Sequence, residues 1–209
     1  MSQRKMFVSL LAISLCLVLL LVGCVLFFNL SSLDKKISDL SKKEYKVDDI
    51  VEVLVGENIT ETFYVIDDSD GKLTLITQNI LFSCPFDKNG GTDFESSSLK
   101  KALSEYTVAW VFAEKIRLLS MDEFKKGLLI EFKDDDKYSS SNYSKYLSIQ
   151  DNVMNDAFSS YWLSGSGNDG YVYQASVSKE NNIIQANSIL STEESGVRAV
   201  INISKEFVK

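Results

Sequence analysis

The chain has 209 residues, with 22 basic and 29 acidic side chains, no histidine and a formal net charge of −7. That length suits one domain with an appendage. The acidity disfavours nucleic acid as a partner, because phosphates call for basic surfaces, and the lack of His excludes His-ligated metals and Ser-His or Cys-His catalysis.

Residues 1–5 form a short tail carrying Arg4 and Lys5, and the apolar run that follows continues to Leu30, interrupted only by Ser9, Ser14, Gly23 and Asn29. A helix rising ~1.5 Å per residue over this run reaches ~37 Å, enough to cross a ~30 Å hydrocarbon layer with tilt. Residues 6–29, from Met6 to Asn29, are therefore expected to be a transmembrane signal anchor in contact with membrane lipid. The tetrapeptide Leu21-Val22-Gly23-Cys24 resembles a bacterial lipobox, so the alternative is a lipoprotein cleaved and lipidated at Cys24. Val25-Leu26-Phe27-Phe28 extend the apolar run past that cysteine, where a lipid-anchored chain would turn polar, and this favours the retained anchor. Lys35, Lys36, Lys42 and Lys43 oppose the positive-inside bias. The very short tail and the large downstream region still favour a single-pass protein of the cell membrane, with its C-terminal domain extracytoplasmic.

Residues 30–46 read as a helical stalk. Leu30, Leu33, Ile37 and Leu40 follow the a/d spacing of a coiled coil over too few heptads to pair unaided, although tethering to a membrane would permit a weak homodimer. The domain is expected to occupy 47–209. Strands are predicted over 48–55, 59–66 and 72–77, the last two separated by an Asp-rich turn ending in Gly71. An EF-hand reading of that turn fails, because its first ligand position falls on Ile66 and its closing Glu position on Thr77.

Ser97 or Ser98 can cap a helix with Leu99, Ala102, Leu103 and Tyr106 on one face. The pentapeptide Val108-Ala109-Trp110-Val111-Phe112 is apolar throughout and is expected to be deeply buried. Residues 115–119 read as extended. Ser120 and Glu123 then form a capping box for a helix that carries Met121, Phe124 and Leu128 inward. The polar stretch 133–144 reads as a solvated loop, in which Asp134, Asp135 and Asp136 would need a turn to gather them around a cation. Outside the membrane block only Cys84 remains, so no disulfide can form within the domain.

Further strands are predicted over 160–163, 171–178, 182–190 and 196–204. Tyr171, Tyr173, Ala175 and Val177 share one face of the second. Short helices among early strands, followed by an antiparallel run, make the class α+β, with a largely antiparallel sheet. Tyr161, Tyr171 and Tyr173 with Asp169 are candidate ligand-binding residues, since aromatic faces stack on sugars, and Asn152, Asn155 and Asn168 lie nearby in sequence. The same alternation also describes a core, where Trp162 is placed. Arg198, on the more polar face of the last strand, is read as buried against a carboxylate or carbonyls.

The runs Tyr161-Trp162-Leu163-Ser164-Gly165-Ser166 and Gly196-Val197-Arg198-Ala199-Val200-Ile201-Asn202 resemble those of the bacterial domain of unknown function 6273 family. Members of that family carry a Trp-Trp-Leu-Arg-Ser-Pro-like run and end on Gly-Val-Arg-Pro before an apolar strand. Phe63-Tyr64-Val65-Ile66, the Asp-Gly turn and Ile116-Arg117-Leu118-Leu119-Ser120 are also similar, so the resemblance covers roughly 60–204. Ser164 stands where the family has Arg, and Ala199 where it has Pro. The resemblance implies a C-type-lectin-like layout akin to formylglycine-generating enzymes, with Trp162, Gly196 and Arg198 as a structural motif in a twisted sheet. Those enzymes bind copper through two cysteines, and Cys84 alone cannot supply both ligands. No cofactor is expected. The reading is a non-enzymatic, membrane-anchored binding or interaction module of a bacterial cell envelope, with a cell-wall ligand or a protein as partner. The alternative is the Cys24 lipoprotein with a carbohydrate- or cell-wall-binding domain. A hydrolase ranks behind both, since no spacing singles out a Ser-Lys dyad or a carboxylate pair.

Overall fold

Residues 43–69, 71–129, 138–149, 160–166, 171–178 and 182–209 are described by the structure, a computed structural model. The anchor, residues 30–42 of the stalk, Cys24, Asp134–Asp136, Asn152, Asn155, Asn168 and Asp169 lie outside these residues. Among the described residues no helix is long and apolar enough to cross a membrane. They belong, apart from Lys43, to the unit Glu44–Lys209.

Strand β1 (Ile50–Gly56) buries Val51, Val53 and Val55 and exposes Glu52, the period-two pattern of a strand with one covered face. It pairs antiparallel with β2 (Ile59–Ser69). That strand runs three residues beyond the expected break at Ile66. A register shift after Val65 lets Asp67, Asp68 and Ser69 go on pairing with β3 (Lys72–Thr77). Gly71, at φ +75°, makes the reversal.

After β4 (Phe82–Pro85), helix α1 (Ser98–Tyr106) starts on Ser97, whose Oγ accepts from the Lys100 N–H, and it buries Leu99 and Leu103. The expected burial of 108–112 is overturned: Trp110 is only 4% exposed, but Val108 is 79% and Val111 65% exposed. This segment is a succession of turns in which the Trp110 N–H donates to Thr107 O and the Ala113 N–H to Trp110 O. Val108, Ala109 and Val111 therefore face outward around the inward wedge of Trp110, while Phe112 is partly buried against the first core.

Next come β5 (Glu114–Arg117), β6 (Leu119–Ser120) and helix α2 (Met121–Gly127), which opens on the complete Ser120/Glu123 capping box. Within the stretch read as a loop, Ser139–Ser140 form β7, and just beyond it a 3-10 turn, Lys145–Leu147, buries Tyr146 and Leu147. β8 (Ser160–Ser166), β9 (Tyr171–Ser178) and β10 (Ile183–Leu190) form an antiparallel run.

The single strand expected over 196–204 is instead two, β11 (Glu194–Val197) and β12 (Val200–Ser204), in different sheets. Arg198 and Ala199 carry the chain across. The Ala199 carbonyl accepts from the Thr77 N–H at 2.9 Å, and the Ala199 N–H donates to Thr77 Oγ1 at 3.1 Å. A proline at that position could not donate this second bond.

The first sheet has the order β1-β2-β3-β12-β5 and is antiparallel throughout. The second has the order β4-β11-β8-β9-β10-β7. In it β11 lies parallel to β8, as does β6, which joins β8 from off that path. With two short helices beside mainly antiparallel strands among the described residues, the class is α+β. The strands alternate between two cores. Phe63, Val65, Leu73, Leu75, Trp162 and Ile201 enter one; Tyr64, Ile76, Tyr161, Leu163 and Val200 enter the other.

Candidate functional site

A cleft of about 640 Å³ opens where the first sheet meets α2 and the 3-10 turn. Val47 and Asp48 line it from the approach to β1, Ile66, Asp67 and Thr74 from β2 and β3, and Glu123, Lys126 and Leu129 from α2 and its end. Ser144 and Tyr146 close the remaining side.

Local chemistry places each wall. Asp48 sits at φ +73°, a left-handed conformation that a short polar side chain tolerates. Its N–H donates to Val65 O at 3.0 Å, and its Oδ1 accepts the Tyr146 N–H at 2.9 Å. One aspartate thus joins β2 to a turn 98 residues away. The Tyr146 hydroxyl in turn donates to Glu123 O at 2.7 Å, tying that turn to α2. The phenol, raised chiefly by burial, stays protonated and keeps donating.

Glu123 and Lys126, three apart, share one helix face. The Glu123 carboxylate accepts two bonds from Arg117, at 2.6 and 2.7 Å, and others from the Ser120 N–H and hydroxyl. Burial by itself would raise this carboxyl, but the Arg117 and Ser120 hydrogen bonds outweigh it and hold it below the ordinary carboxylate range. Glu123 is therefore a saturated, ionised wall residue, not a proton donor. With its charge met by Arg117, the lining keeps Asp48 and Asp67 against Lys126. Val47 and Leu129, both about half exposed, supply an apolar lip.

None of the tyrosines singled out in the sequence lines this cleft. Tyr161 is fully enclosed in the second core, its hydroxyl donating to Leu147 O at 3.0 Å and its phenol pushed up to about 12 by burial. It has no face to offer a sugar, because β8 is an interior strand of its sheet. Tyr171 is exposed on β9 and Tyr173 packs partly on the second core, so the three share no open surface. Trp162 is fully buried and donates its indole N–H to Cys84 O at 2.8 Å. Gly196 has Ser160 O so near that a Cβ there would come within 2.7 Å of it. Ser164 pairs in parallel with Ser120.

Sequence reasoning missed Asp48, Asp67 and Tyr146 as members of one site. The only local trace was the pair Asp48-Asp49 ahead of a β run, which is turn chemistry. Among the described residues no group of three His, Cys, Asp or Glu side chains is arranged to hold a metal ion. No family model matches the chain, and neither a curated protein nor a solved structure matches it.

Proposed function

We propose that this chain is a single-pass, membrane-anchored binding module of a bacterial cell envelope. Residues 6–29 hold it in the bilayer, and the folded domain outside the cytoplasm takes a ligand in the cleft between the first sheet and α2. The ligand carries an ammonium or guanidinium group beside an apolar one. The observation behind this reading is the lining itself: Asp48 and Asp67 outnumber Lys126, and Val47, Ile66 and Leu129 offer apolar contact. Polar groups converging in a mainly preformed cavity are the usual form of a small-ligand site. A binding role, not a catalytic one, is favoured because Glu123 is already saturated by hydrogen bonds. The likeness to the domain of unknown function 6273 family, and through it to the C-type-lectin-like layout, draws support from the interior position of Trp162 and the tight packing at Gly196.

The test is titration of the full-length chain, in nanodiscs of zwitterionic lipid, with an N-acetylated Leu-Lys dipeptide amide and its N-acetylated Leu-Glu counterpart. Asp48→Asn keeps the oxygen that accepts from Tyr146 and tolerates the left-handed backbone, so it removes only charge. The Leu-Lys peptide should bind, the Leu-Glu peptide should not, and Asp48→Asn should weaken binding about fivefold or more, in line with one lost charge-assisted contact. Equal binding of the two peptides, or none by either, would refute the assignment of the cleft.

A further inference from the structure

The turn that follows α1 displays apolar side chains that the fold does not use. Val108, Ala109 and Val111 are exposed, and beside them Tyr106, the last residue of α1, is half exposed although its ring packs against Phe82 and Trp110. Their exposure is built in, not a frayed end. Trp110 is wedged into the first core and meets Phe63 edge-on at 6.0 Å and Tyr106 at 6.4 Å. The Phe112 N–H donates to Val55 O at 3.0 Å, and the Phe112 ring stacks on Phe207 at 4.5 Å. Gly56 admits the backbone of Ala109 so closely that a Cβ there would collide with the Ala109 carbonyl. The valines are thus held outward on a fixed base, an arrangement that lowers the ordering cost of association.

We propose that this tip is a docking surface for a second, different protein, one presenting an apolar groove flanked by basic side chains. Charge selects that occupant. Glu57 in the β1–β2 turn, Glu105 on α1 and Glu61, whose charge acts on the Tyr106 phenol, surround the tip. Lys101, one turn before Glu105, the exposed Lys115, two residues past Ala113, and Lys209, whose ammonium is held on Thr60, are cations of the same region. Beyond the rim, residues 44–209 carry 16 basic and 27 acidic side chains, a net charge of −11. Two copies meeting tip to tip would bring the same acidic fields together, and an anionic lipid surface would be repelled in the same way. A basic partner gains from both the field and the apolar contact. The tip lies at the Gly56 end of β1, whereas the described chain begins beside its Ile50 end, a strand length of roughly 23 Å away at ~3.3 Å per residue.

The probe is a short fluorescein-labelled peptide of alternating Leu and Lys, titrated against the full-length chain in zwitterionic nanodiscs, with empty discs subtracted. Binding should weaken at least tenfold in Val108→Asp/Val111→Asp and by a smaller factor in Val108→Ala/Val111→Ala. It should weaken with added salt, and the same dependence on Val108 and Val111 should hold in an Asp48→Asn/Asp67→Asn background, where the separate cleft no longer takes the probe. Hydrogen-exchange protection on binding should centre on residues 106–113. The proposal is overturned if the tip variants bind the probe as the wild type does, or if the probe does not bind. It is also overturned if the chain self-associates through the tip, with sedimentation losing its concentration dependence in the Asp variant, or if vesicles of anionic lipid engage the tip more tightly than the probe.

Discussion

Arg198 shows how one buried side chain can hold two sheets together without a carboxylate. It is fully enclosed, its Nε donates to Thr77 O at 2.8 Å, and its Nη1 donates to Tyr146 O at 2.8 Å and Ser148 O at 3.0 Å. The guanidinium lies 5.0 Å from the centre of the Tyr161 ring, whose π face attracts the cation. Burial lowers its proton affinity and the neighbouring tyrosines raise it, while Nη2 has no hydrogen-bond partner among the described residues. Lysine offers one compact ammonium in place of a fork reaching both Thr77 and the 3-10 turn. Arg198→Lys should therefore destabilise the fold by about 3 kcal/mol, since buried carbonyls are left without donors, and urea unfolding of the full chain measures this. An Arg within an apolar run was legible as buried. Its partners were not, because Thr77 is 121 residues away in sequence.

Helix α2 lies at the other extreme, because its start is written locally. A Ser followed three residues later by Glu satisfies two orphan N–H groups reciprocally, and both bonds form, at 3.2 Å and 2.9 Å. What the spacing could not show is that Arg117, from β5, clamps the same carboxylate. The consequence is a pH dependence of definite sign. The folded-state pKa of Glu123 lies below its unfolded value, so its stabilisation is present above the ordinary carboxylate range and is lost as pH falls through the depressed value. Urea midpoints should drop on acidification below about pH 4.5, and Glu123→Gln should flatten that part of the profile. The opposite lesson comes from 108–112 and 196–204. The first is apolar throughout and the second alternates, and neither pattern by itself can tell a buried strand from a wedge with exposed flanks or from a chain crossing between sheets.

Across the domain, the two sheets of the described residues meet at the Arg198–Ala199 crossing, and a second polar cluster holds Tyr45. Asp68 accepts the Tyr45 N–H at 2.9 Å and pairs with Lys205 at 2.7 Å, with both carboxylate and ammonium largely buried. The Tyr45 ring stands 5.9 Å from that ammonium. Tyr45, near the end of the expected stalk at 30–46, is thereby pinned to the ends of β2 and β12. The proposed anchor carries its own prediction. Cys24→Ala should leave the chain membrane-associated and of unchanged length in fractionated cells, because ~25 apolar residues suffice to hold a span. Release of the variant, or accumulation of a longer precursor, would favour the lipoprotein.

The sequence by itself determined the α+β class, the capped starts of both helices, the β1–β3 meander and the β9 strand. All of these depend on interactions within a few residues or on a two-residue period. Only the tertiary structure decided that Tyr161 is sealed, that Val108 and Val111 face outward, and that Asp48, Glu123 and Tyr146 share a cleft. Those outcomes depend on which distant segments pack together, and closing loops of many tens of residues leaves no local mark in the chain.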